Sequence, residues 1–234
     1  MLLRSVPVAA VLALLAAAPA SAQLQKLNTP LKPCYVAAQE DQREPVGIDA
    51  AGFSAAVPVD FFVDEVRQDV KTDDGKQVLT TFDGKLQGSV PAPFVEEGER
   101  QFTLRITERD NTQKSLTATA RVTQLLVTQR PSQAKTRDRV TFRGRGFTNL
   151  AKPVYAHYVF ANKSRKTVRL GMPTGECGLF SVKRRQFPFK NSPRRGLWTI
   201  QFDQVRDYDA KAPVRYSLTV RVRKAIKPQR AQAR

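Results

Sequence analysis

The sequence predicts an all-β protein made of two tandem β-sandwich domains. Three observations carry this expectation. Apolar and polar residues alternate with a period of two over several stretches. Glycine, proline and asparagine punctuate those stretches at short intervals. The same short motifs also occur twice, in the same order, dividing the chain into two copies of roughly 100 residues.

The clearest match pairs Val46-Gly47-Ile48-Asp49-Ala50-Ala51-Gly52-Phe53-Ser54 with Val140-Thr141-Phe142-Arg143-Gly144-Arg145-Gly146-Phe147-Thr148, at an offset of 94. Phe102-Thr103-Leu104-Arg105-Ile106 then parallels Trp198-Thr199-Ile200-Gln201-Phe202 at an offset of 96, and Ser115-Leu116-Thr117 parallels Ser217-Leu218-Thr219 at 102. A slowly growing offset is the mark of duplication followed by small loop insertions. About seven short strands per copy, separated by turn residues, is the immunoglobulin-like pattern.

Individual strands are legible. Val214, Tyr216, Leu218, Val220 and Val222 alternate with Arg215, Ser217, Thr219, Arg221 and Arg223, the pattern of a half-buried strand. Val140 with Phe142, and Val168 with Leu170, alternate likewise. Turn signals fall at Asp74-Gly75, Asp83-Gly84, Asn162-Lys163-Ser164 and Thr174-Gly175. The stretch from Gln124 to Pro131 is apolar and β-like rather than rich in glycine and serine, so the second copy is expected to begin with little free linker.

The ends differ from this body. Met1–Arg4 is short and positive, Val6–Ala18 is apolar apart from Pro7, and Ala20-Ser21-Ala22 offers small residues for a signal peptidase. The apolar run is shorter than the ~20 residues a membrane-spanning helix needs. The expected organisation is therefore a signal peptide over 1–22, a first domain over 23–124, a second over 125–223, and a basic disordered tail over 224–234. The mature chain is expected to be secreted, extracellular or cell-wall-associated, with no transmembrane segment.

The repeated motif, an apolar strand running into small-x-Gly-Phe, resembles the early strand and turn of IPT/TIG domains and related bacterial immunoglobulin-like modules. Pro131, followed by Arg139-Val140-Thr141-Phe142-Arg143-Gly144-Arg145-Gly146-Phe147, carries the resemblance most fully. The first copy has Ala50 where the second has Gly144. The resemblance implies a sandwich fold and a range of roles from adhesion to polymer binding to spacing, without choosing among them.

Charge is the strongest functional signal. Residues 23–124 hold 12 Lys and Arg against 16 Asp and Glu, whereas 125–234 hold 26 against 5. A second half with a net charge of +21 calls for a polyanionic partner. The candidate binding residues are Lys163, Arg165, Lys166 and Arg169 around an expected hairpin, and Lys183, Arg184, Arg185, Arg194 and Arg195 around Phe187-Pro188-Phe189. Arg215, Arg221 and Arg223 add the solvent face of the last strand. Guanidinium groups meet phosphate and carboxylate in forked geometry. The expected partner is an anionic envelope polymer or lipid surface, with domain 1 as a spacer or protein-facing unit. Nucleic acid is disfavoured because no nucleic-acid motif is present.

Catalysis, metal and cofactor find little support. His157 is the only histidine and sits in Val154–Phe160, an expected central strand, where a buried structural role outweighs a catalytic or metal role. The acidic residues Asp60, Asp64, Glu65, Asp69, Asp73 and Asp74 match no EF-hand spacing and are read as a solvated face that also faces the basic second domain. Cys34 and Cys177 admit three states: a bridge between the domains, two separate thiols, or intermolecular pairing. An alternative function, a small-ligand sandwich, would use an aromatic pocket around Trp198, Tyr155 and Phe160.

Overall fold

The computed structural model describes residues 24–70 and 78–223, and every regular element among them is a β-strand. The expected signal peptide, the basic tail, the Asp74-Gly75 turn and the side chains of Asp73 and Asp74 lie outside the described residues. Among the described residues no helix is long and apolar enough to cross a membrane.

The first sandwich contains β1 (Lys26–Leu27), β2 (Cys34–Gln39), β3 (Gln42–Arg43), β4 (Pro45–Ala51), β5 (Val59–Val63), β6 (Val66–Gln68), β7 (Leu86–Pro91), β8 (Glu99–Glu108) and β9 (Ser115–Gln124). The second contains β10 (Leu126–Arg130), β11 (Arg139–Arg145), β12 (Val154–Phe160), β13 (Lys163–Gly171), β14 (Phe180–Arg185), β15 (Gly196–Asp203) and β16 (Arg215–Val222). In the first, the three-stranded sheet β1-β4-β7 packs on the six-stranded sheet β3-β2-β9-β8-β5-β6. In the second, β10-β11-β14 packs on β13-β12-β15-β16.

The second sandwich has the seven strands expected. The first has nine, because β2 and β3 add to the edge of the larger sheet, with β2 running parallel to β9. The sequence pattern missed β2 because the run Cys34–Ala38 is apolar on both faces rather than alternating, and β3 because it is two exposed polar residues. β2 is buried on both sides.

The duplication is visible atom by atom. Phe53 N donates to Gly84 O at 3.2 Å, and Phe147 N donates to Gly178 O at the same distance. A Cβ on Gly84 would stand 2.1 Å from Phe53 O, and one on Gly178 would stand 2.1 Å from Phe147 O. Both glycines also have positive φ, so close backbone approach and a left-handed turn demand glycine at both places. The two phenylalanines are thereby locked into their cores.

The hairpins β5–β6 and β12–β13 correspond as well. Each turns through two residues of positive φ, Asp64-Glu65 in one and Ala161-Asn162 in the other. This places the second turn one position earlier than the Asn162-Lys163-Ser164 signal, since Lys163 and Ser164 already pair with Phe160 and Val159. Two-residue turns of this hand match the twist of the strands they join.

The two cores meet through β2. Tyr35 and Ala37 belong to the first core, whereas Val36 and Ala38 pack against the second. Cys34, at the head of the same strand, is disulfide-bonded to Cys177 in the second sandwich. Arg121 bridges the same seam, 3.2 Å from Glu99 and 3.9 Å from Glu176.

Candidate polyanion-binding surfaces

Alternation along β11 builds the most basic surface. Val140 and Phe142 point into the core and are fully buried, so Arg139, Thr141, Arg143 and Arg145 point outward. Register brings the neighbours into line. Arg139 lies opposite Arg185, Thr141 opposite Lys183 and Arg143 opposite Ser181 on β14, and Arg130 of β10 lies opposite Thr141. The outward face of β10-β11-β14 thus carries Arg130, Arg139, Arg143, Arg145, Lys183 and Arg185.

These cations are uncompensated. Among the described residues, no Lys or Arg side chain between 125 and 223 forms an ion pair. The first sandwich differs sharply, because its own carboxylates hold its cations. Asp60 meets Arg67 and Arg109, each at 2.7 Å, Asp64 meets Arg100 at 2.6 Å, and Glu65 meets Arg105 at 2.6 Å. The Arg109 guanidinium, followed by that of Arg67, holds the Asp60 carboxyl below its ordinary range, and Arg105 does the same for Glu65. These three acidic residues therefore serve their own domain and do not face the second one.

The basic residues singled out from sequence divide among several surfaces. Lys183 and Arg185 join the face just described. Arg169, Arg215 and Arg221 lie on the outward side of the opposite sheet, Arg215 donating to Ala212 O at 2.7 Å, with the exposed Arg223 just beyond the strand end. Arg184 reaches across to β13 and donates to Arg169 O at 3.0 Å. Lys163 starts β13 and Arg195 is exposed beside Arg194. Four cations of the three-stranded face (Arg130, Arg139, Arg143 and Arg145) escaped sequence reading. Their signal was the alternation of arginine with Val140 and Phe142, read there only as evidence for a strand.

A second basic feature lies at the end of the second sandwich. Phe160, Phe189 and Trp198 form the floor of an open cleft of about 400 Å³, rimmed by Arg165, Lys190 and Arg194. Ring centroids lie 5.0 Å apart for Phe160 and Trp198 and 5.4 Å for Phe189 and Trp198. Trp198 donates from Nε1 to Arg194 O at 2.8 Å, which ties the 190–194 loop down beside the rings. Arg165 reaches the rim because it is the extra residue of a bulge, between Ser164 opposite Val159 and Lys166 opposite Tyr158. Lys166 turns back, donating to Pro188 O with its ammonium 5.9 Å from the Phe189 ring. Tyr155, expected in this pocket, is absent from it. It sits on the outward side of β12, 6.3 Å from the His157 ring.

His157 lies on that same outward side and is nevertheless fully buried, beneath the 204–212 loop. Its Nε2 faces two oxygen acceptors, Asp203 Oδ1 at 3.0 Å and Val205 O at 3.1 Å, and so carries the proton. Its Nδ1 lies 2.9 Å from Thr167 Oγ1. Asp203 also accepts from Gln201 Nε2 at 2.8 Å and from Val205 N at 2.9 Å, and Gln201 Nε2 donates to Asp209 O of the loop at 2.7 Å. The contacts to Val205 and Asp209 hold the loop to the sheet, and the contact to Thr167 ties His157 to the neighbouring strand.

The fold is that of two tandem immunoglobulin-like β-sandwich domains. No protein-family model matches the chain, and no curated protein matches it. Solved structures similar to it include Rst D1-D2, at 9% identity over 85% of this chain and 98% of that one, with a TM-score of 0.30. Bovine butyrophilin is 8% identical over 84% of this chain and 96% of that chain, with a TM-score of 0.28. SGBP-B of the Bacteroides ovatus mixed-linkage glucan utilization locus, solved with a mixed-linkage heptasaccharide, is 14% identical over 85% of this chain and 44% of that chain, with a TM-score of 0.23. Likenesses this distant carry no functional argument.

Proposed function

We propose that this chain is a non-enzymatic binding protein of the cell exterior, of the IPT/TIG-like kind, whose second sandwich holds an anionic envelope polymer or lipid surface. The observation that supports this is the row of six cations on β10-β11-β14, none of them ion-paired among the described residues. Arg139 to Arg145 spans about 20 Å at the rise of an extended strand. Charges held that close repel one another, and a polyanion laid along them removes the repulsion while gaining forked contacts. The first sandwich, neutralised from within, acts as a spacer or a protein-facing unit.

The test uses the whole chain, since β2 serves both cores. Retention is measured on polygalacturonate, on polyphosphate and on phosphatidylglycerol vesicles across a salt series. The expected result is binding at low salt that weakens steeply as salt rises. In the Arg143→Ser, Arg185→Ser double variant it falls at least tenfold. Absence of binding to all three probes at low salt overturns the reading.

A further inference from the structure

The basic face does not end in open surface. Strand β14 closes it with Arg185, and the chain then runs through buried Gln186 and Phe187 into Phe189 and Lys190 of the aromatic cleft. Four residues lie between Arg185 and Lys190, at most about 18 Å of chain. A polymer lying on the face would meet the cleft at its end.

The cleft's chemistry is more selective than that of the face. Its floor offers ring surface only, from Phe160 and Phe189 backed by the buried Trp198, whose indole N–H is already given to Arg194 O. Phe160 and Phe189 are half-buried and present hydrocarbon to the opening. Asn191 and Ser192 on one wall supply neutral hydrogen-bonding groups, and Arg165, Lys190 and Arg194 supply positive charge. Hydrocarbon below, neutral polar groups beside and guanidinium at the rim fit a ring with an apolar face, hydroxyls and a carboxylate. A bare phosphate chain would use only the rim.

We infer that the cleft formed by Phe160, Phe189, Trp198, Arg165 and Arg194 is a subsite for a carboxylate-bearing sugar ring, so that the anionic polymer is an acidic polysaccharide. This rests on the polyanion reading and names its ligand class. It also explains why the 190–194 loop is tied to Trp198: a preorganised wall spares the ordering cost on binding.

Trp198 is the single tryptophan of the chain and packs directly beneath Phe160 and Phe189, so its fluorescence reports on this part of the sandwich. The full chain is titrated with trigalacturonate, maltotriose, tripolyphosphate and a short oligothymidylate. Trigalacturonate is expected to give a saturable change, at least tenfold weaker in Arg165→Gln and Phe189→Ala, while the neutral and phosphate probes give none at matched concentration. Arg165 is exposed at a bulge, so its variant keeps the fold if Phe189→Ala does not. The absence of a change with trigalacturonate overturns the inference, as does an equal change with tripolyphosphate or oligothymidylate. The double variant Arg143→Ser, Arg185→Ser separates the two readings. It is expected to lose polygalacturonate retention while keeping the trigalacturonate response, so either surface can fail without the other.

Discussion

Arg139 and Arg185 stand directly opposite each other across β11 and β14, on the same outward face, and neither forms an ion pair among the described residues. Like charges in cross-strand register oppose folding by a few tenths to about 1 kcal/mol. The pair is held at a cost to stability that a bound anion would offset and that salt screens. Arg185→Thr is therefore expected to raise Tm slightly at low salt, with the gain shrinking at high salt, while retention on polygalacturonate weakens. Calorimetry of both proteins across a salt series checks this, and a lowered Tm at low salt would count against the repulsion.

The disulfide joins residues 143 apart in sequence. On the chain-entropy account, a loop of that length contributes up to about 5 kcal/mol. Replacing both cysteines, Cys34→Ser with Cys177→Ser, is expected to lower stability by roughly 2 to 5 kcal/mol, since native strain and residual unfolded-state structure offset part of the entropic gain. Urea unfolding of the oxidised wild type and the double variant measures it. An unchanged midpoint would show that β2 holds the domains together by packing alone.

Asp203 accepts three donors in a site closed to water: His157 Nε2, Gln201 Nε2 and Val205 N. Asp203→Ala leaves all three without that acceptor, and the expected loss is about 3 kcal/mol. Its sign in the structure is release of the 204–212 loop, read as new protease cleavage there. If stability falls but the loop stays protected, the cluster serves the core and not the loop.

Ala161 holds φ at 50° in the β12–β13 turn, where a Cβ is unfavourable. Ala161→Gly is expected to stabilise the protein by about 1 kcal/mol, the strain relieved exceeding the added freedom of the unfolded chain. Thermal unfolding decides it, and destabilisation would mean that backbone freedom outweighs strain at this turn.

Legibility followed periodicity. Strands with one face on the core, such as Arg215–Val222, announced themselves through strict alternation. The Gly-Phe repeat announced a turn that the structure explains through the backbone contacts of Gly84 and Gly178. β2 was invisible because a strand buried on both faces has no alternation to read. The cleft was half legible. Trp198 and Phe160 stood out as aromatic, but Tyr155 is only five residues before Phe160 and was assigned to the same pocket. An odd number of residues along a strand turns a side chain to the opposite face, so Tyr155 belongs with His157 instead.

By itself the sequence determined the all-β class, the duplication and the concentration of positive charge in one half, because each is written in local pattern and composition. Which cations share a face was decided by register, since Arg130, Arg139 and Arg185 are neighbours only once β10, β11 and β14 are paired. The joining of the two sandwiches through β2, with Cys34 meeting Cys177, was likewise decided by tertiary packing. Local propensity acts over a few residues, whereas these contacts close loops of tens to more than a hundred. Only the folded chain brings their ends together.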